Sequence, residues 1–300
     1  MTHATARTGM RRTSSTTVRS IRPDDVEICG RIIFDAFAGI AQRHNFPLDF
    51  PSVESATELA GHFTHHPQFY GVVAESGGKV VGSNFLDERD PIRGVGPITV
   101  DPGCQQGGVG RRLMEAVLER GRKASGIRLV QDAFNMASYA LYASLGFSAK
   151  EPLVLMSGRP KSTPSSDVEV RPMRPGDVEA CAALCERVHG FPRGNELRDA
   201  VKGMHPYVAV RGGRIVAYAS AVDFWPLNHG VAEREEDLRA LLLGAGAINA
   251  QPLALLVPTR QASVFRWCLS EGLRGVKPMT LMAIGPYHEP AGSFFPSVEY

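Results

Sequence analysis

With 300 residues, 43% of them hydrophobic and 21% charged, the chain holds enough apolar material for two ordinary folded domains. Its 33 Lys and Arg nearly cancel 31 Asp and Glu, which excludes nucleic-acid binding through a global positive field and requires any anionic ligand to be met locally. Five scattered cysteines make no disulfide framework, and no apolar run reaches the roughly 18 residues of a membrane span, so the expectation is a cytoplasmic protein that binds neither nucleic acid nor membrane.

Residues 1–17 are small, polar and basic and predict a disordered tail. Pro23, Asp24 and Asp25 then open a helix at "VEICGRIIFDAFAG", where acidic groups complement the helix dipole. An irregular stretch, "GIAQRHNFPLDFPSVE" (39–54), follows. Next, "FYGVVAE-SGG-KVVGSNFL" predicts a β-hairpin by its alternation and glycine turn. The strand "GPITV" leads into "DPGCQQGGVGRR", and Leu113, Met114, Val117 and Leu118 then give a helix one apolar face. The strand "IRLVQDAF", the short helix "SYALYASLG" and the strand "EPLVLMSG" complete the unit.

That order recurs. "SIRPDDVE" (20–27) returns as "PMRPGDVE" (172–179), "YGVVAESGGKVVG" (70–82) as "YVAVRGGRIVAYA" (207–219), and "SLGFSAKEPLVLM" (144–156) as "SEGLRGVKPMTLM" (270–282). The aperiodic "SGRPKSTPSSD" lies between the copies. The expected division is a tail at 1–17, a first domain at 18–158, a linker at 159–168 and a second domain at 169–300. The fold class is α/β: two tandem domains, each a mixed, mostly antiparallel sheet covered by helices.

A strand that ends in a glycine-dense turn and restarts as a helix points several backbone N–H groups into one small space, where the helix dipole favours negative charge. Gly107, Gly108 and Gly110 let the backbone approach a phosphate closely, and Arg111 and Arg112 add charge at the rim. Neither of two familiar phosphate loops fits. Val109 and Gly110 stand where a P-loop needs Lys and Ser/Thr, and Leu113 occupies the third glycine position of a dinucleotide fingerprint.

"VDPGCQQGGVGRRLM" resembles the acetyl-coenzyme A loop of the GNAT superfamily of N-acetyltransferases, with Gln105, Gly108 and Gly110 at the positions of its Gln/Arg-x-x-Gly-x-Gly/Ala pattern. "NMASYALYASLGF" is similar to that superfamily's second signature through Asn135, Tyr142, Gly146 and Phe147. The resemblance covers about residues 18–158 strongly and the second half in outline. It implies acetyl-CoA as co-substrate, with no metal. Gln105, Gln106, Gly107, Gly108, Val109, Gly110, Arg111 and Arg112 would form the pyrophosphate seat, Ile98 and Val100 would pair with the pantetheine arm, and Asn135 and Tyr142 would complete the cofactor site. Tyr142 matches the superfamily's proton donor to the leaving sulfur.

The implied function is transfer of an acetyl group to a primary amine, on a small molecule or a protein, by direct attack in a ternary complex. An ammonium of pKa about 10.4 costs roughly 4–5 kcal/mol to deprotonate at pH 7, so a base or a water chain is required. "LDERD" offers Asp87, Glu88 and Asp90, and Asp132 lies further on; Glu88 and Asp87 are the catalytic candidates beside Tyr142. The acceptor surface is expected in 39–54, where His44 could orient an acceptor. His62 and His66 share a helical face at i,i+4, but Phe63 stands where a zinc protease carries Glu, and Cys181 with Cys185 lack a second ligand pair.

The alternatives are a non-catalytic acyl-CoA-binding sensor, which needs the seat but not Tyr142, and an interaction scaffold. The oligomeric state is open. At an offset of 126 the second copy places "VAEREE" (231–236) on the glycine turn and Cys268 on Tyr142, so its expected role is structural, or to shape the acceptor side. The closing "GPYHEPAGSFFPSVEY" is expected to lie over the partner domain without forming an element of its own.

Overall fold

The structure, a computed structural model, describes residues 16–105, 107–164 and 166–299. The first copy runs β1 (Thr17–Ser20), α1 (Val26–His44), α2 (Val53–His65), β2 (Phe69–Ser76), β3 (Lys79–Asp87), β4 (Ile92–Val95), β5 (Thr99–Val100), α3 (Val109–Gly121), β6 (Gly126–Asp132), α4 (Met136–Ser144) and β7 (Ser148–Gly158). The second runs β8 (Glu169–Pro172), α5 (Val178–His189), α6 (Gly194–Gly203), β9 (Tyr207–Arg211), β10 (Arg214–Ala219), β11 (Gly230–Ala232), α7 (Glu235–Ile248), β12 (Leu253–Pro258), α8 (Ala262–Ser270), β13 (Arg274–Ile284) and β14 (Ser293–Phe295). Thr17, assigned to the tail from sequence, already opens β1; residues 1–15 lie outside the described residues.

The repeated motifs make the same local structure twice. In the first, Arg19 clasps Asp25 through both guanidinium ends at 2.7 and 2.9 Å, while Asp25 also accepts the Arg22 N–H at 2.8 Å. In the second, Arg171 and Asp177 repeat this at 2.7 and 3.0 Å, with the Arg174 N–H at 2.7 Å. Both hairpin turns place two glycines at positive φ, Gly77 and Gly78 in one and Gly212 and Gly213 in the other, as a tight turn with right-handed strand twist requires.

Two local expectations change. The stretch 39–54 is less irregular than its composition suggests: α1 continues to His44 and stops at Asn45 in the left-handed region, and α2 starts after a reciprocal Ser52–Ser55 cap. The closing segment does form an element, because β14 finds an open edge on β11, pairing Phe295 with Gly230.

The larger surprise is in the sheets. Nine strands form one sheet in the order β1-β2-β3-β4-β6-β13-β7-β12, with β5 beside β3, and five form the other in the order β14-β11-β10-β9-β8. All pairings are antiparallel except the parallel pair β4–β6. β13 of the second copy lies against β6 of the first, and β7 of the first lies against β12 of the second. The copies have exchanged their last strands, with Met282 opposite Leu129 and Met156 opposite Leu255. The cores are exchanged with them. Met282 is buried with Val72, Leu113 and Val117 of the first copy, and Met156 with Ala209, Leu241 and Val257 of the second.

Candidate active site

The site begins where a sheet opens. β4 pairs with β6 only from Ile92–Gly126 to Gly94–Arg128. Beyond that the chain continues as β5, which pairs with β3 through Gly82–Val100 and Ser83–Thr99 and not with β6. The edge of β5 that faces β6 is therefore free for another extended chain. A cleft of about 390 Å³ occupies the gap.

Of the residues named from the sequence, Ile98, Val100, Gln105, Gly108, Gly110, Arg111, Asn135 and Tyr142 line this cleft. Gly108, at φ 72°, turns the chain into α3, and a Cβ there would point into open space. The first N–H groups of α3 have no acceptor within the helix, so they and the dipole present positive potential to the cleft. Gln105 donates from Nε2 to the Val100 carbonyl at 3.3 Å, tying the loop to β5. Arg111 donates to Ser144 Oγ at 2.6 Å.

Three named residues stand apart from the lining: Val109 is buried in the first copy's core, Gly107 is not among the lining residues, and Arg112 donates to the Thr16 carbonyl at 3.1 Å. Gln106 lies outside the described residues. Sequence reasoning in turn missed the wall that α1 supplies, Phe37, Ile40 and Arg43. Arg43 makes no ion pair among the described residues, which leaves a cation at the cleft. The signal was present as an i,i+3,i+6 row on α1, but that row also reads as ordinary core.

Asn135 caps α4, accepting the Ser138 N–H at 3.3 Å. This holds the helix that carries Tyr142 between the cleft and the core, where its ring meets Phe147 edge-on at 6.2 Å. Burial pushes the Tyr142 hydroxyl up to about 12, with a smaller opposing effect from its hydrogen bond to Ser138. The phenol therefore keeps its proton across the physiological range.

The candidate bases fall elsewhere. Asp87 is buried and bound by Arg89 at 2.6 and 3.0 Å, and Glu88 is bound by Arg120 at 2.9 Å. Asp90 accepts the Asn195 and Glu196 N–H groups at 3.1 and 3.0 Å, capping α6 of the second copy. "LDERD" is thus a joint between the copies, and neither Asp87 nor Glu88 lines the cleft. Asp132 does line it. His44 packs on Phe134 at 5.1 Å and is not among the residues that line the cleft, while His66 meets Asp199 of the second copy at 3.1 Å. Among the described residues no group of three or more His, Cys, Asp or Glu is placed to hold a metal ion.

Past Tyr142 the cleft leads into a smaller chamber of about 130 Å³, sharing with it Phe37, Ile98, Asp132, Asn135, Ser138 and Tyr142. The rest of its wall comes from both copies. Asp49, Phe50 and Phe63 belong to the first; Trp225, Lys277 and Glu299 belong to the second. The Lys277 ammonium lies 2.6 Å from Asp49, 2.7 Å from Asp132 and over the Trp225 ring at 5.1 Å. At the second copy's equivalent of the glycine turn, α7 opens with Glu235, Glu236 and Asp237, whose charge opposes a diphosphate, and Cys268 is buried in place of Tyr142.

Residues 37–147 match the family model described as Acetyltransferase (GNAT) family. An assigned acetyltransferase from Pyrococcus horikoshii superposes with a TM-score of 0.73 at 19% identity, covering 99% of this chain and 98% of that one. A GCN5-related N-acetyltransferase from Sphaerobacter thermophilus gives 0.58 at 14% identity, covering 93% and 98%. A tandem GNAT protein from the clavulanic acid biosynthesis pathway gives 0.56 at 14% identity, covering 91% and 100%. At such identities the likeness is one of fold. No curated protein matches the chain in sequence. The split sheet, the glycine-led helix and the superpositions agree: the chain has a tandem GNAT fold, and residues 37–147 of its first copy match the acetyltransferase (GNAT) family model.

Proposed function

We propose that the chain transfers an acetyl group from acetyl-CoA to a primary amine by direct attack while both substrates are bound. One observation carries the reading: a long cleft and a short chamber meet at Tyr142, so a thioester lying in one would face a nucleophile in the other. The N–H groups at the start of α3 suit a diphosphate, with Arg111 and Arg43 as flanking cations. The free edge of β5 at Ile98 and Val100 suits the amide-bearing pantetheine arm, which would fill the gap as an additional strand.

On attack the amine nitrogen bonds to the acetyl carbon and the C–S pair leaves with sulfur. A thiol pKa near about 8.5 makes that sulfur a tolerable leaving group, and the protonated Tyr142 hydroxyl can donate to it. The second copy would hold no coenzyme A, because three carboxylates stand at the start of α7. The test is calorimetry of acetyl-CoA with the full chain, together with an acceptor-amine assay that follows free thiol. Binding with amine-dependent thiol release is the expected result; binding without release by any amine supports a sensor, and no binding ends the reading.

A further inference from the structure

Of the described residues that line both the cleft and the chamber, Asp132 is the only carboxylate. Its Oδ1 is enclosed and lies 2.7 Å from the Lys277 ammonium. Its Oδ2 accepts no hydrogen bond among the described residues and is not enclosed, so the 9% of the side chain that stays exposed includes a free carboxylate oxygen. Tyr142 is close by. Beyond burial, the charge of Asp132 adds to the upward push on the Tyr142 hydroxyl, and the Asp132 carbonyl accepts the N–H of Asn135, the cap of α4, at 3.0 Å.

The second copy holds this carboxylate in place. Lys277 is buried on β13, and its ammonium bridges Asp132 to Asp49, 2.6 Å away on the stretch between α1 and α2. The next residue, Pro278, accepts the Ala133 N–H on its carbonyl at 3.1 Å, so β13 grips the chain beside Asp132 as well as its side chain. A bulge at Val276 precedes the lysine, where the pairing with β7 passes from Gly275–Met156 to Lys277–Leu155, and a bulge re-aims the side chains around it. Two carboxylates share one ammonium, so the cluster keeps a net negative charge.

The duplication supplies an internal control. β7 carries the same bulge at Lys150, followed by Glu151, the equivalent of Lys277. The equivalent of Asp132 is Pro258, which pairs with Leu153 as Asp132 pairs with Met279. There Glu151 meets Arg260 at 3.4 Å and accepts the Tyr287 hydroxyl at 3.0 Å. The exchanged strands thus set a lysine against a carboxylate only in the copy whose α3 starts from the glycine turn. We propose that Asp132 accepts a proton from the attacking amine and that Lys277, on the exchanged strand, is its positioning residue, so that the second copy completes the catalytic apparatus of the first. The proposal rests on the acetyl-transfer reading above and assigns its base.

The protons balance. An ammonium acceptor first loses one proton to solvent. As the nitrogen lone pair bonds to the acetyl carbon, the nitrogen becomes acidic and gives a proton to Asp132 Oδ2. The C–S pair leaves with sulfur, which takes the Tyr142 proton. Protonated Asp132 then returns its proton through water to the Tyr142 oxygen, and both groups are restored. The charged and titratable groups that face Asp132 are Lys277 on β13, Asp49 before α2 and Tyr142 on α4, while Arg43 of α1 lines the same cleft.

The experiment follows thiol release from acetyl-CoA, with whichever of benzylamine, spermidine, kanamycin and a lysine-containing peptide the unaltered chain turns over fastest. Asp132→Asn should lower kcat about 100-fold and flatten the acidic limb of its pH profile, with acetyl-CoA binding by calorimetry unchanged. Lys277→Met should lower kcat about 10-fold and move that limb up by about one pH unit, because a carboxylate that loses a neighbouring cation keeps its proton to higher pH. Lys277→Arg keeps a cation and should leave the limb in place. In an Asp132→Asn background Lys277→Met should lower kcat no further. Asp132→Asn with the parental kcat and pH profile overturns the proposal. Lys277→Met with the parental limb, or with an equal loss in the Asp132→Asn background, overturns the positioning role. The two single variants decide independently, so either suffices if the other fails to fold. Acetyl-CoA bound with no amine consumed overturns instead the transfer reading on which the proposal stands.

Discussion

Tyr142 shows how burial fits a side chain to one task. Its phenol, pushed up to about 12, keeps its proton, which on the proposed reading it would give to the departing sulfur. If the proposed role holds, Tyr142→Phe should lower kcat about 100-fold at pH 7 in the thiol-release assay, with acetyl-CoA binding unchanged, because the hydroxyl would act only as C–S breaks. Asp177 has the opposite shift. Hydrogen bonding from Arg171 holds its carboxyl below the ordinary value, so the folded state keeps the charge to lower pH than the unfolded chain. The stabilisation is full above about pH 4 and is lost as pH falls through the depressed value. Asp177→Asn should cost about 1–2 kcal/mol in urea denaturation at pH 7, a difference that shrinks as pH falls below about 4.

Among the elements, the start of α3 and the start of α7 make a natural control pair. The same place in two copies carries Gly108 and then Val109, Gly110 and Arg111 in one, and Arg234 and then Glu235, Glu236 and Asp237 in the other. Gly108 is required by its φ of 72°, not by crowding, since no protein atom lies near its Cβ direction. Gly108→Ala should therefore cost only about 1–2 kcal/mol of stability. Gly108→Glu should abolish acetyl-CoA binding in calorimetry while the thermal transition falls by no more than it does for Gly108→Ala, because the added carboxylate would project into the open space that the proposed function gives to phosphate oxygens. The turn itself was legible in the sequence: a strand, a run of glycines and a helix are all local, and the positive φ at Gly108 follows from them. The base was not legible. "LDERD" presents four charged side chains in a row, and which of them face a cleft depends on α6 and on Arg120, far away in sequence.

For the molecule as a whole, exchange of β7 and β13 makes the two copies a single folding unit. The first copy alone would lack β13, so the strand that pairs with β6 in the intact chain and the Met282 side chain buried in its core would both be missing. Residues 16–158 and 169–299 produced separately should each aggregate or stay unfolded, and co-production should restore a complex that binds acetyl-CoA. In the intact chain Met282→Ala should destabilise by about 2–5 kcal/mol and lower a single cooperative transition, with no early melting of the second copy.

The sequence by itself determined the duplication, the order of elements, the paired glycine hairpins and the glycine turn into α3, because each rests on spacing within a few dozen residues. Tertiary structure alone decided that the last strands change places and that Lys277, Trp225 and Glu299 enter the first copy's chamber. The physical reason is that "EPLVLM" and "KPMTLM" have the same alternation, so local pattern alone does not assign the β6 edge to either strand. Only the packing of both sheets at once distinguishes the two pairings, and the shape of the chamber follows from that choice.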